Sequence, residues 1–162
     1  MARRSRAREV ALQLLYESDR NAAGPEGRDR QFIESRLRGS ALRQFAQSLV
    51  DGVRTHEQRI DQIIEQVAQN WTLTRMTPVD RSILRIATFE VLFGPDTPPK
   101  VAIDEAIELA KRFGTAESGR FVNGILDRVV TNFPRAATAE PAGDAAPSDL
   151  APPSESLHAS IP

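Results

Sequence analysis

The sequence contains no cysteine. That removes disulfides, thiolate nucleophiles and cysteine-bound zinc together. It has only two histidines, His56 and His158, too few for a metal cage built from imidazole. No Gly-rich phosphate loop, Gly-x-Ser-x-Gly elbow or His-x-x-x-His pair occurs. Long apolar runs are missing too, since none approaches the ~18 residues of a membrane span. The basic N-terminus lacks the apolar stretch of a secretory signal. These absences predict a soluble, cytoplasmic, non-enzymatic protein with no cofactor, no metal and no membrane partner.

What is present is ordinary globular material: 162 residues, 40% hydrophobic and 27% charged. The net charge of −1 averages over segments that differ. Residues 134–162 hold six of the 11 prolines, eight alanines and four serines. Their only larger aliphatic side chains are Leu150, Leu157 and Ile161, too scattered for a core. Arg135 stands there against Glu140, Asp144, Asp149 and Glu155, a net of −3, which leaves residues 1–133 at +2. The prediction is a folded domain over 1–133 and a disordered, mildly acidic tail over 134–162. Deleting residues 136–162 is expected to leave the fold intact.

Residues 1–133 read as helices throughout. Ala7, Val10, Ala11, Leu14 and Leu15 follow the 3.6 period and predict a helix to about Asn21. A Gly- and Pro-containing loop covers 22–27, and a short helix over 28–38 carries Phe32, Ile33 and Leu37. Leu42, Phe45, Ala46, Leu49, Val50 and Val53 form one stripe, and Ile60, Ile63, Ile64 and Val67 another. A break is predicted near 55–57, with His56 a surface residue at a helix end. Thr77 suits an N-cap, Pro78 the first helical position, and Asp80 a capping-box acid. The following segment, from Ile83 to Phe93, is apolar on nearly every side and predicts a central buried helix. Ile103, Ala106, Ile107, Ala110 and Phe113 define the next helix, closed by Gly114 as a C′ residue. A last helix covers about 116–132, and Pro134 stops it. The fold class is all-α, with about six or seven helices too uneven for a simple four-helix bundle.

Arg3, Arg4, Arg6 and Arg8 place four cations within six positions at a helix start. They oppose the helix dipole, which favours acids there. Anionic phosphate is the usual reason for such an excess, and an idle solvated end is the alternative. Tyr16 falls opposite the centre of the buried face, at about 100° per residue. Cations beside an exposed ring suit single-stranded RNA; packing of Tyr16 on another helix is the alternative. A second set opens the last helix: Glu117, Ser118, Arg120 and Phe121, where free backbone N–H groups can meet an anion. Phe121 lies at the edge of the apolar stripe, so a core role outweighs stacking. Gly124 is a poor mid-helix residue, and close helix approach would explain it. Asp104, Glu105 and Glu108 open a helix and need no further reason than its dipole.

Several segments carry a resemblance. Arg6-Ala7-Arg8-Glu9 with Ala11-Leu12-Gln13 and Leu15-Tyr16 is similar to the opening of the NusB transcription antitermination factors. Asp80 to Ala87, with Glu90-Val91-Leu92, resembles the family's central helix. Pro99 to Lys111 resembles its most recognisable segment, and Phe113-Gly114 with Phe121 to Asp127 completes a collinear match over about residues 3–133. The resemblance implies two packed helical subdomains. It implies binding to the boxA element, a single-stranded RNA in ribosomal RNA leader transcripts. It implies partnership with NusE, a small-subunit ribosomal protein, and action on RNA polymerase elongation complexes with other Nus factors. By matching position, RNA contacts would come from Arg3, Arg4, Arg6, Arg8, Tyr16, Glu117, Ser118, Arg120 and Phe121. Asp80 and Arg81 would face NusE. Gly119 departs from the pattern, standing where relatives often carry a larger polar residue, and the tail is longer than in compact relatives. Two other readings are a protein-only helical adaptor and a module like that of RNA cytosine methyltransferases. The latter lacks its cofactor-binding βαβ region here. Charge reversal at Arg4 and Arg8 is expected to spare melting while weakening RNA binding.

Overall fold

The computed structural model describes residues 2–20, 27–94 and 96–135. They form six α-helices: α1 (Ala2–Arg20), α2 (Arg28–Arg36), α3 (Ser40–Val67), α4 (Pro78–Leu92), α5 (Pro99–Phe113) and α6 (Ser118–Asn132). One 3-10 turn, Leu73–Arg75, precedes α4. The all-α expectation holds, and no strand occurs among the described residues. The predicted tail lies outside them from residue 136 onward.

Helix α4 organises the rest. Its start is fixed as the sequence predicts: Pro78 occupies the first turn, and the Thr77 hydroxyl accepts the Asp80 N–H at 3.2 Å. Oδ1 of Asp80 does not complete a capping box, being buried without a hydrogen-bond partner. Ile83, Leu84, Ile86, Ala87, Val91 and Leu92 are all buried, each large side chain contributing about 1.5–3 kcal/mol by leaving water. Helices α1, α3, α5 and α6 all pack against α4, α1 with α3 and α5 with α6, and α2 lies against α1 and α3. The two groups of helices share one continuous core.

The predicted break near 55–57 is absent; α3 runs unbroken for 28 residues. The gap between Val53 and Ile60 is filled by His56, half-buried and stacked on Phe93 at 4.3 Å and Phe89 at 6.0 Å. His56 therefore continues the stripe at helical spacing instead of marking an end. One turn earlier, Gly52 lets α3 meet α4 closely, because a Cβ there would fall inside the Phe89 ring.

Two glycines shape junctions differently. Gly39, at φ +90, turns the chain from α2 into α3, where few other residues are tolerated. Arg43 steadies that turn by donating to the Leu37 carbonyl at 2.8 Å. Gly114 is not the left-handed C′ residue predicted, since its φ is −93. It is small because a Cβ would overlap the Ser118 side chain.

Candidate nucleic-acid interface

Of the four arginines that open α1, three reach solvent. Arg3, Arg4 and Arg6 are exposed, and Arg8 is 2% exposed. The Arg8 guanidinium lies against Glu90 of α4, donating through Nη2 at 2.8 Å and Nε at 3.0 Å. The Thr97 hydroxyl donates to the same carboxylate at 3.0 Å. The expectation that Arg8 contacts RNA is therefore corrected: Ala7, Arg8, Val10 and Ala11 all lie on the buried face of α1, and Arg8 neutralises an internal acid. Charge reversal at Arg8 cannot spare the fold, because it would set two carboxylates against each other out of water.

The exposed arginines have company from the end of α2 and the turn after it. Arg3 and Arg6 line a groove of about 580 Å³ with Arg36 and Arg38, over a floor of Leu37, Gly39 and Leu42. Arg36 sits over the Phe32 ring at 3.6 Å, and Arg4 over Phe45 at 4.8 Å. Four arginines from two separate segments thus border one depression. Arg36 and Arg38 are not among the residues the sequence pattern picks out; their signal is the Arg-Leu-Arg-Gly run, which the packing of α2 on α1 brings beside the start of α1.

Glu9 connects this basic end to the second predicted set. It pairs with Arg6 at 2.9 Å and with Arg112 of α5. The Ser5 hydroxyl donates to Glu105 of the same helix at 2.8 Å. The start of α1 therefore runs beside α5, whose end leads into residues 114–120. There, Glu117 and Arg120 are exposed and Phe121 is half-buried. Ser118 is 1% exposed, and its hydroxyl accepts the Thr115 N–H at 2.9 Å. Its predicted role as an RNA contact is corrected to shaping the turn, because its side chain is buried. Lys111, Thr115, Gly119, Arg120 and Asn123 line a second depression of about 520 Å³. A Cβ on Gly119 would sit at ordinary contact distance, 3.6 Å, from Lys111, so the missing side chain widens this surface.

Tyr16 stands apart. It is half-buried, its hydroxyl accepts from Arg20 at 2.6 Å, and the Arg20 guanidinium lies 5.5 Å from its ring. At ~1.5 Å per residue it is roughly 18 Å along α1 from Arg4. The basic groove and Tyr16 are therefore separate points along α1.

The expected partner contacts are largely internal. Asp80 is 7% exposed. Arg81 donates to Asp19 of α1 at 2.6 Å and to the Leu73 carbonyl at 2.8 Å. Arg85 continues the network, to Asp19 at 3.2 Å and to Asp61 of α3 at 2.8 Å. Partial burial alone would raise the Asp19 carboxyl, but its bonds to Arg81 and Arg85 outweigh that and hold it below its ordinary value. Burial opposes the charge on Arg85 as well, and Asp61 and Asp19 more than restore it. Asp80 is thus nearly out of solvent, while Arg81, half-buried, is tied to α1 and to the turn before α4.

The arginine-lined groove, the α5–α6 depression and Tyr16 are three candidate contact points, and the sequence carrying them can be placed. The family model described as "NusB family" matches residues 5–131. The chain belongs to the NusB family. The transcription antitermination protein NusB of Desulfatibacillum aliphaticivorans is 45% identical over 140 residues, covering 86% of this chain and 98% of its own. That of Myxococcus xanthus is 45% identical over 133 residues, covering 80% and 95%. Among solved structures, T. maritima NusB superposes with a TM-score of 0.71 at 37% identity, covering 80% of this chain and 91% of its own. A chain in a crystal structure of antitermination factors NusB and NusE in complex with dsRNA gives 0.74 at 27% identity, covering 82% and 99%.

Membership of the NusB family accounts for the six-helix architecture. Among the described residues, no group of three or more His, Asp and Glu side chains is placed to hold a metal ion. No described helix is long and apolar enough to cross a membrane.

Proposed function

We propose that this chain is a transcription antitermination factor that binds boxA-type single-stranded RNA of ribosomal RNA leader transcripts together with NusE. The observation that carries the reading is the Glu9 link. It sets the exposed arginines of α1 beside the α5–α6 junction, so that two separate sequence segments make one surface. The relatives named NusB, and the related structure that holds NusB with NusE and dsRNA, support the class of activity and partner.

Arg3, Arg4 and Arg6 supply phosphate affinity that falls with salt. Glu117 and Arg120 meet base edges or backbone at the junction. Tyr16 and Phe121 offer ring faces to unpaired bases. Arg8 and Ser118 act from within, as positioning residues. NusE raises affinity by holding RNA and protein at high effective concentration, with α4 near Arg81 as one element it touches. The assembled complex rides in the cytoplasm with RNA polymerase and other Nus factors and suppresses premature termination. Residues 1–133 form the binding unit, and 134–162 lie outside it. No chemical step is needed.

The test is a fluorescence-anisotropy titration of labelled boxA-type RNA and a scrambled control, with and without NusE, at two salt concentrations. Preference for boxA that tightens with NusE is expected. Equal binding to both RNAs would reduce the surface to a basic patch. NusE binding without RNA binding would favour a protein-only adaptor.

A further inference from the structure

Gly124 sits in the middle of α6, where glycine is among the weakest helix formers. A close helix contact would explain it, as the sequence suggests, but a Cβ at Gly124 would meet nothing within 4 Å. The residue instead lines a hollow of about 270 Å³ with Trp71, Phe121, Arg120 and Arg128. Trp71 is the only tryptophan in the chain and is 49% exposed. Its ring meets Phe121 edge-on, with centroids 5.8 Å apart and planes at 70°. Arg128 is anchored at the rim by donating to the Val67 carbonyl at 3.2 Å. The hollow is smaller than the sites that take drug-sized molecules. It is bounded by an aromatic ring and two cations, which is how single-stranded nucleic acids are held.

We propose that this hollow takes one unpaired base of the bound RNA. The base stacks on Trp71, Gly124 leaves the space it occupies, and Arg120 and Arg128 face the flanking phosphates. Trp71 is thereby a base-binding residue beyond those the sequence pattern picks out. The inference rests on the RNA-binding reading above and extends it along α6 from Phe121.

The single tryptophan makes the test direct. The full chain is titrated with boxA-type RNA while Trp71 emission and the anisotropy of labelled RNA are read together. Emission is expected to be quenched with the same midpoint as the anisotropy change. Gly124→Leu fills the hollow and is expected to melt no lower than wild type while binding RNA about tenfold more weakly. Trp71→Ala, at a half-exposed site, is expected to lose a similar factor. Unchanged Trp71 emission at saturating RNA, or wild-type affinity in both variants, overturns the base site and leaves the RNA reading standing. An emission change produced by NusE alone would make the hollow a protein contact and also overturns it. Absence of any anisotropy change, with or without NusE, would sink the RNA reading and the base site with it.

Discussion

Arg8 of α1 and Glu90 of α4 form a two-point ion pair across the core, at 2.8 and 3.0 Å, with both residues 2% exposed. The pair ties the helix that presents the basic surface to the helix at the centre of the fold. Removing one partner strands the other charge away from water. Arg8→Ala is therefore expected to lose about 3–5 kcal/mol of stability, read by chemical denaturation. Loss of RNA affinity without loss of stability would return Arg8 to the surface role.

Arg3 and Arg4 behave oppositely. Arg3→Glu with Arg4→Glu places acids in the first turn of α1, where the dipole favours them. Melting should stay level or rise. RNA affinity should fall, and the slope of log affinity against log salt should shrink by about 0.7 for each phosphate no longer neutralised. An unchanged slope would remove both residues from the RNA path.

Helices α3 and α4 meet closely at Gly52, where a Cβ would overlap the Phe89 ring. Gly52→Ala improves helix propensity and would stabilise an uncrowded helix. Here it is expected to destabilise by about 1–3 kcal/mol, the usual range for overpacking. A raised melting temperature would show that the two helices are not in register there.

Asp19 supplies a pH signature. Its carboxyl is held below the ordinary value of 3.8 by Arg81 and Arg85, against partial burial. Stability from a depressed carboxylate is present above the unfolded value and is lost as pH falls through the folded one. Wild type should therefore exceed Asp19→Asn in melting temperature at neutral pH, and the gap should close only in acid below about 3.8. A gap that stays constant through that range would detach the Asp19 charge from the stability of the α1–α4 junction.

Much of the fold is legible in the sequence because helical periodicity and punctuation agree. Thr77 and Pro78 mark the start of α4 in sequence and structure alike. The break expected at 55–57 fails because His56 reads as polar, whereas its ring stacks on Phe89 and Phe93 as an apolar one would. Gly114 reads as a residue of backbone freedom when its lack of a side chain is what matters. For the site, the charge cluster at the start of α1 is visible in the sequence, but its division is not. Whether an arginine faces water or a buried acid depends on Glu90, 82 residues away. Arg36 and Arg38 stand out less, because only the packing of α2 on α1 brings their run beside the start of α1, and nothing in the sequence places Trp71 against Phe121.

The central claim is that the start of α1 and the α5–α6 junction form one RNA surface. Amide chemical-shift mapping during titration with boxA-type RNA tests it most directly. Changes around Arg3–Arg6 and around Glu117–Gly124, saturating together at one RNA concentration, are predicted. Changes confined to one of the two segments, or centred on Asp80–Arg85, would contradict it.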